Sequence, residues 1–260
     1  MKWYLGLAIG LIVLIRLTEI FPRTLAPEDQ SFSEHLKGAL PRESKNNQSS
    51  PDLSLKEETT TTLLSLLELV IDEERNLAAG ADIIASTERN ETNEKLLELY
   101  EAKIASRTLN FEKALQLLET VGEDQDLGLL RAIVLIALDD RAQAENALRT
   151  LADKHPDPET KAKALMLLNL YTTFDQHREV DRSYLWTLFA QKLGELGERE
   201  ISHYLAKKAT EHRVDYRDAW LIRGYQEFQM DAFAESERSL LRADELDPGN
   251  HQIQYLLGLL

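Results

Sequence analysis

The chain has 260 residues, of which 43% are apolar, and its 45 acidic side chains outnumber 30 basic ones to give a formal charge of −15. That apolar content supports one large domain or two small ones, and the acidic balance argues against nucleic acid as a partner, because phosphate binders carry a basic face. The chain has no cysteine, which excludes disulfides, zinc thiolates, iron–sulfur clusters and thiol nucleophiles and leaves the compartment open.

The first element in chain order is apolar. MKWYLGLAIGLIVLIRLTEIF holds an uninterrupted apolar run of thirteen residues, 3–15. A spanning helix needs about 20 predominantly apolar residues, so this one spans only with Arg16 and Glu19 at the interface. The run alone has the length of a signal-peptide core. Its one small-residue cleavage site, Thr24 to Ala26, is followed by Pro27, which disfavours cutting. Residues 1–25 are therefore read as an uncleaved signal anchor, with a cleaved peptide or a buried soluble helix as alternatives. Lys2 against Arg16 and Arg23 leaves the positive-inside comparison nearly tied. The short leading segment leans towards a cytoplasmic amino terminus, which gives a single-pass protein of a bacterial inner membrane with the rest of the chain outside the cytoplasm.

Residues 26–58 are rich in Pro, Ser, Asn and Glu and show little apolar periodicity. Such a stretch buries too little surface to offset ordering entropy and is read as a flexible linker, with a short helix possible over 32–40. Asn47 and Asn90 fit the glycosylation sequon, which matters only in a eukaryotic secretory chain. From residue 59 onward apolar residues recur at three- and four-residue spacing, the pattern of amphipathic helices. Short polar turns separate them, among them Asp139-Asp140, 155–158, 194–197 and 247–250. Helices joined in this way form antiparallel hairpins in series. Residues 59–94 read as a degenerate helical pair or cap.

The later hairpins repeat. Trp186 and Trp220, Ser202 and Ser236, and Ala209 and Ala243 are each 34 residues apart. In residues 217–250 Trp220 is followed four residues on by the small Gly224, then by Phe233, Ser236, Leu240 and Ala243, and Pro248 closes the unit. Residues 183–216 repeat this with Trp186, Ala190, Gly197, Ser202 and Ala209 but lack the closing proline. Upstream, Ala132, Ala144 and Leu148, and before them Ala102, Phe111, Ala114 and Leu118, fit more loosely. This pattern resembles the tetratricopeptide repeat, a pair of helices recurring every 34 residues. The resemblance covers residues 95–260, with an extra helix at about 159–174 that breaks the phase and a partial repeat at 251–260. It departs from the family at Arg223, where a leucine is usual, and at Glu227, where a tyrosine is usual. It implies an all-α fold: a right-handed α-solenoid of antiparallel helix pairs, preceded by one hydrophobic amino-terminal helix. An irregular helical bundle is the alternative. Because one repeat cannot bury its apolar face alone, neighbours share one core and the same packing residues recur.

Chemistry is sparse in this sequence. Six histidines form no close ligand pair and are read as surface residues, and no phosphate-binding, dinucleotide, nucleophile-elbow or calcium loop is present. Asp139-Asp140 is read as a hairpin turn and N-cap. No catalytic, cofactor or metal site is assigned. The resemblance implies a concave surface built from first helices, where some members of the family grip a terminal carboxylate with Lys, Arg and Asn. The corresponding positions here hold Tyr184, Thr187 and Gln191, then Asp218, Leu221, Tyr225 and Phe228, so a groove for a helix or extended peptide is expected instead. Tyr184 and Tyr225 are the stronger contact candidates. Leu221 and Phe228 are read equally well as packing between repeats. The leading expectation is a membrane-anchored scaffold or assembly factor that binds another protein. The alternatives are a structural subunit of a membrane complex that self-associates through the apolar segment 255–260, and a regulatory part of a larger enzyme.

Overall fold

In the computed structural model the described residues are 52–120, 127–177 and 181–260. The anchor at 1–25, most of the linker at 26–58, the helix at 32–40 and the sequon at Asn47 lie outside them. Among the described residues there are twelve α-helices and one π-helical turn. None of these helices is long and apolar enough to cross a membrane.

The first is α1, Asp52–Leu67. It begins within the stretch that composition assigns to the linker, because a helix extends at little cost per residue once a downstream turn is in place. It runs into a π-helical turn, Glu68–Glu73, and after Arg75 comes α2, Leu77–Ser86. Then α3, Glu94–Arg107, pairs with α4, Phe111–Thr120, and α5, Gly128–Ala137, pairs with α6, Arg141–Lys154. A lone α7, Pro158–Gln176, follows. Next α8, Arg182–Glu195, pairs with α9, Arg199–His212, and α10, Arg217–Gln229, with α11, Phe233–Leu246. The last is α12, His251–Leu257.

Each hairpin turns in the same way. One residue enters the left-handed region: Leu109 (φ 61°), Asp139 (63°), Gly197 (87°) and Asp231 (59°). The next amide then donates to the carbonyl five residues back, Asn110 to Ala105 (2.8 Å), Asp140 to Leu135 (3.0 Å), Glu198 to Leu193 (2.9 Å) and Ala232 to Glu227 (2.9 Å). This bond satisfies a carbonyl that the helix end leaves orphaned. Asp140 then caps the following helix, its Oδ1 accepting from Gln143 N at 3.1 Å. The turn-and-cap reading of Asp139-Asp140 thus holds.

Each hairpin also closes on two small residues twelve positions apart: Ala102 with Ala114, Ala132 with Ala144, Ala190 with Ser202 and Gly224 with Ser236. All are buried. Small side chains at these positions let the two helices approach closely. In the last two hairpins the second residue spans the contact, Ser202 Oγ donating to Ala190 O at 2.5 Å and Ser236 Oγ to Gly224 O at 2.8 Å. A Cβ at Gly224 would lie 2.7 Å from the Leu240 side chain and 3.2 Å from its backbone nitrogen. Between these two hairpins the equivalent positions differ by 34 residues. Between the first two they differ by 30, and this shorter period explains the weak upstream match.

α7 belongs to neither pair of hairpins. Its start is fixed by Asp157, whose carboxylate accepts from the amides of Glu159 (3.3 Å) and Thr160 (2.8 Å), and by Pro158 in the first turn. After it, α9 packs back against the earlier hairpins, with Phe111 edge-on to Tyr204 at 5.1 Å. One cluster of buried residues therefore runs unbroken from Ala102 to Ala219. A second, smaller cluster, which includes Leu67, Ile71, Leu97 and Tyr100, holds α1 and α2 on α3.

Candidate functional site

The successive first helices α8, α10 and α12 enclose a groove with a volume of about 650 Å³. α8 contributes Tyr184, Thr187, Leu188, Gln191, Gly194 and Glu195. α10 and its N-cap contribute Tyr216, Arg217, Asp218, Leu221, Ile222, Tyr225 and Gln226, and α12 adds Gln252, Tyr255 and Leu256. Of the residues the sequence nominates, Tyr184, Gln191, Leu221 and Tyr225 converge here. Phe228 lies elsewhere. Its ring packs edge-on to Phe233 at 5.8 Å, inside its own hairpin, because it stands in the last turn of α10, beside the start of α11. Sequence reading assigns Tyr255 and Leu256 to a partial repeat with an apolar end and not to the groove. They join the groove because Asn250 caps α12, accepting from Gln252 N at 3.1 Å, and Ile253 is fully buried beneath it.

The two tryptophans share a position but not an environment. Trp186 is buried, and its Nε1 donates to Asp139 Oδ1 at 3.3 Å. Trp220 is half-buried, donates to Val214 O at 2.9 Å and carries the Arg223 guanidinium over its ring. Ala209 and Ala243 are fully buried, and Pro248 stands between the C-cap of α11 and the left-handed Gly249 (φ 80°).

Polar groups in the groove are held unevenly. Arg217 pairs with Asp218 at 2.8 Å and with Asp247 at 3.5 Å, and Lys192 pairs with Glu195 at 2.8 Å. Burial, reinforced by the Asp218 charge, pushes the Tyr216 hydroxyl up to about 12. Gln226 is only 2% exposed, and its Oε1 is buried with no hydrogen-bond partner. An acceptor in that state costs about 1–3 kcal/mol.

Behind the groove is a polar cluster that sequence reading misses. Glu227 is 2% exposed, yet it accepts from Ser239 Oγ (2.6 Å) and Arg223 Nε (2.9 Å) and lies 3.2 Å from His203 Nε2. Burial raises its carboxyl pKa, but the bonds from His203, Ser239 and Arg223 outweigh this and hold it below the usual range. The two departures from the repeat pattern, Arg223 and Glu227, are thus one compensated pair, which their four-residue spacing on a helix signals.

Among the described residues the other polar groups form no reactive constellation. Ser183 Oγ lies 2.8 Å from His212 Nδ1, but Ser183 is fully buried and out of reach of a substrate. His155 departs from the expected surface placement. It is 3% exposed, drawn under the turn where its Nδ1 accepts from Asp157 N at 3.1 Å. Among the described residues no group of three or more His, Asp or Glu side chains could hold a metal ion.

No sequence-family model matches the chain, and no curated protein matches it. It is similar to a solved structure described as the P58(IPK) TPR domain, at 11% identity and a TM-score of 0.32, over 79% of this chain and 65% of that one. The chain thus spans less than two thirds of that structure's length. The recurring hairpin turn, the paired small residues and the 34-residue offset are what make the array tetratricopeptide-like.

Proposed function

We propose that the chain is a protein-interaction scaffold that binds a segment of another protein in the groove between α8, α10 and α12. The observation that carries this reading is the convergence of Tyr184, Gln191, Leu221 and Tyr225, joined by Tyr255, on one open groove of about 650 Å³. Tyrosines exposed beside aliphatic side chains supply contact area at low entropic cost together with a hydrogen-bonding tip. Residues 1–25 act as a membrane anchor in this reading, and residues between the anchor and α1 hold the array away from the bilayer.

The test is a photo-crosslinking amino acid at Tyr225 in the full-length chain in its own membrane, with Leu241, an exposed residue on α11 outside the groove, as the control position. Capture of a discrete protein from Tyr225 and not from Leu241 supports the reading. Equal capture from both positions refutes it. A second reading, a constitutive subunit that self-associates, is favoured by Tyr255, Leu259 and Leu260, which are 53%, 48% and 42% exposed. Concentration-dependent oligomers in size-exclusion chromatography with light scattering would select it.

A further inference from the structure

We infer that the segment bound in this groove is a cationic amphipathic peptide, with aliphatic side chains along one face and lysine or arginine beside them. The inference rests on the protein-binding reading above and specifies its partner. Three features of the groove agree on it.

The first is charge. Two carboxylates, Glu195 and Asp218, line the groove; Glu195 is paired at 2.8 Å with Lys192 beside the lining, and the one cation within the lining is Arg217. That cation is already held between Asp218 at 2.8 Å and Asp247 at 3.5 Å. The whole chain carries −15. An incoming positive segment is therefore attracted both at long range and at the rim, and an acidic one is repelled.

The second feature is aromatic. Tyr225 and Tyr255 are 39% and 53% exposed and flank the groove from α10 and α12, so they offer ring faces to an ammonium or guanidinium group. The third is an unmet acceptor. Gln226 belongs to the same lining, and its buried Oε1 has no partner. The Gln226 side chain must turn towards the groove for a donor to reach that atom; a lysine, an arginine or a peptide N–H then supplies it, and a carboxylate has none to give.

The test is a display library of random short peptides selected on the full-length chain at about 150 mM salt, where interactions between exposed charges are screened beyond about 8 Å. Peptides whose binding survives Tyr225→Ala are set aside, since general attraction to an acidic protein would enrich them anywhere on the surface. The remaining peptides are measured by fluorescence anisotropy against Glu195→Gln/Asp218→Asn and against Gln226→Leu, each checked for unchanged circular dichroism. The expected set is net positive, loses about tenfold in affinity to the carboxylate variant and about threefold to Gln226→Leu. A groove-dependent set that is neutral or acidic, or that ignores the loss of both carboxylates, overturns the cationic chemistry and leaves the groove standing. If every selected peptide ignores Tyr225→Ala, the groove reading falls, and this inference falls with it.

Discussion

Single residues decide how closely the helices approach and what joins the hairpins. Gly224 gives the plainest case, since an added methyl meets the Leu240 side chain at 2.7 Å and its backbone nitrogen at 3.2 Å. The side chain can swing away and the backbone cannot. Gly224→Ala is therefore expected to destabilise the array by about 1–3 kcal/mol, as overpacking does, read from the urea midpoint. Glu227 joins three helices through Ser239, Arg223 and His203. Replacing it by alanine strands the Arg223 and His203 groups and should cost roughly 2–4 kcal/mol. Because its folded pKa is depressed, the ionised form stabilises the fold. That contribution is complete above the ordinary glutamate value of about 4.3 and is lost as pH falls through the lower folded value. Glu227→Gln should flatten the acid limb of the stability profile between those two values. An unchanged limb would mean that the carboxylate is not what holds α9, α10 and α11 together.

At the scale of elements, the π-helical turn and α2 are held to a distant hairpin by a few polar contacts. Arg75 stands at φ 55°. Its Nε lies 3.2 Å from Glu200 Oε1, its Nη2 pairs with the other carboxylate oxygen, and its Nη1 reaches Gly197 O at 3.2 Å. A partly exposed bidentate pair contributes about 1 kcal/mol, so Glu200→Gln should speed amide exchange in residues 68–86 roughly fivefold and leave α10 and α11 as they were. Equal acceleration across the array would show that the pair stabilises the whole fold and not this junction. Helices and their turns were legible in the sequence because apolar spacing and turn residues are local signals. The small-residue pairs were legible only where the 34-residue period is clean. The Arg75 to Glu200 contact was not legible, because it spans 125 positions and depends on how α7 redirects the chain. Phe228, read from the sequence equally as a groove or a packing residue, needed the packed helices for a related reason: membership of a first helix does not settle which side of that helix a side chain occupies.

For the whole molecule, the inserted α7 and the return of α9 onto the early hairpins yield one continuous core from Ala102 to Ala219, with the groove at the carboxyl-terminal end of the array. The groove needs α8, α10 and α12 in register, and the Glu227 cluster and the paired small residues set that register. Its tyrosines and leucine could be read from the sequence as candidates, whereas the share of α12 and the unpartnered Gln226 required the packed helices. The decisive measurement is capture by a photo-crosslinker at Tyr184, compared between the natural chain and the Leu221→Ala/Tyr225→Ala variant, with helicity followed in both. Both substituted side chains line the groove, and Tyr225 is 39% exposed. The expected result is capture of one discrete protein by the natural chain, at least about tenfold less by the variant, and unchanged circular dichroism. Undiminished capture, or an array that unfolds when these two side chains are shortened, would contradict a binding groove and make Leu221 and Tyr225 part of the core.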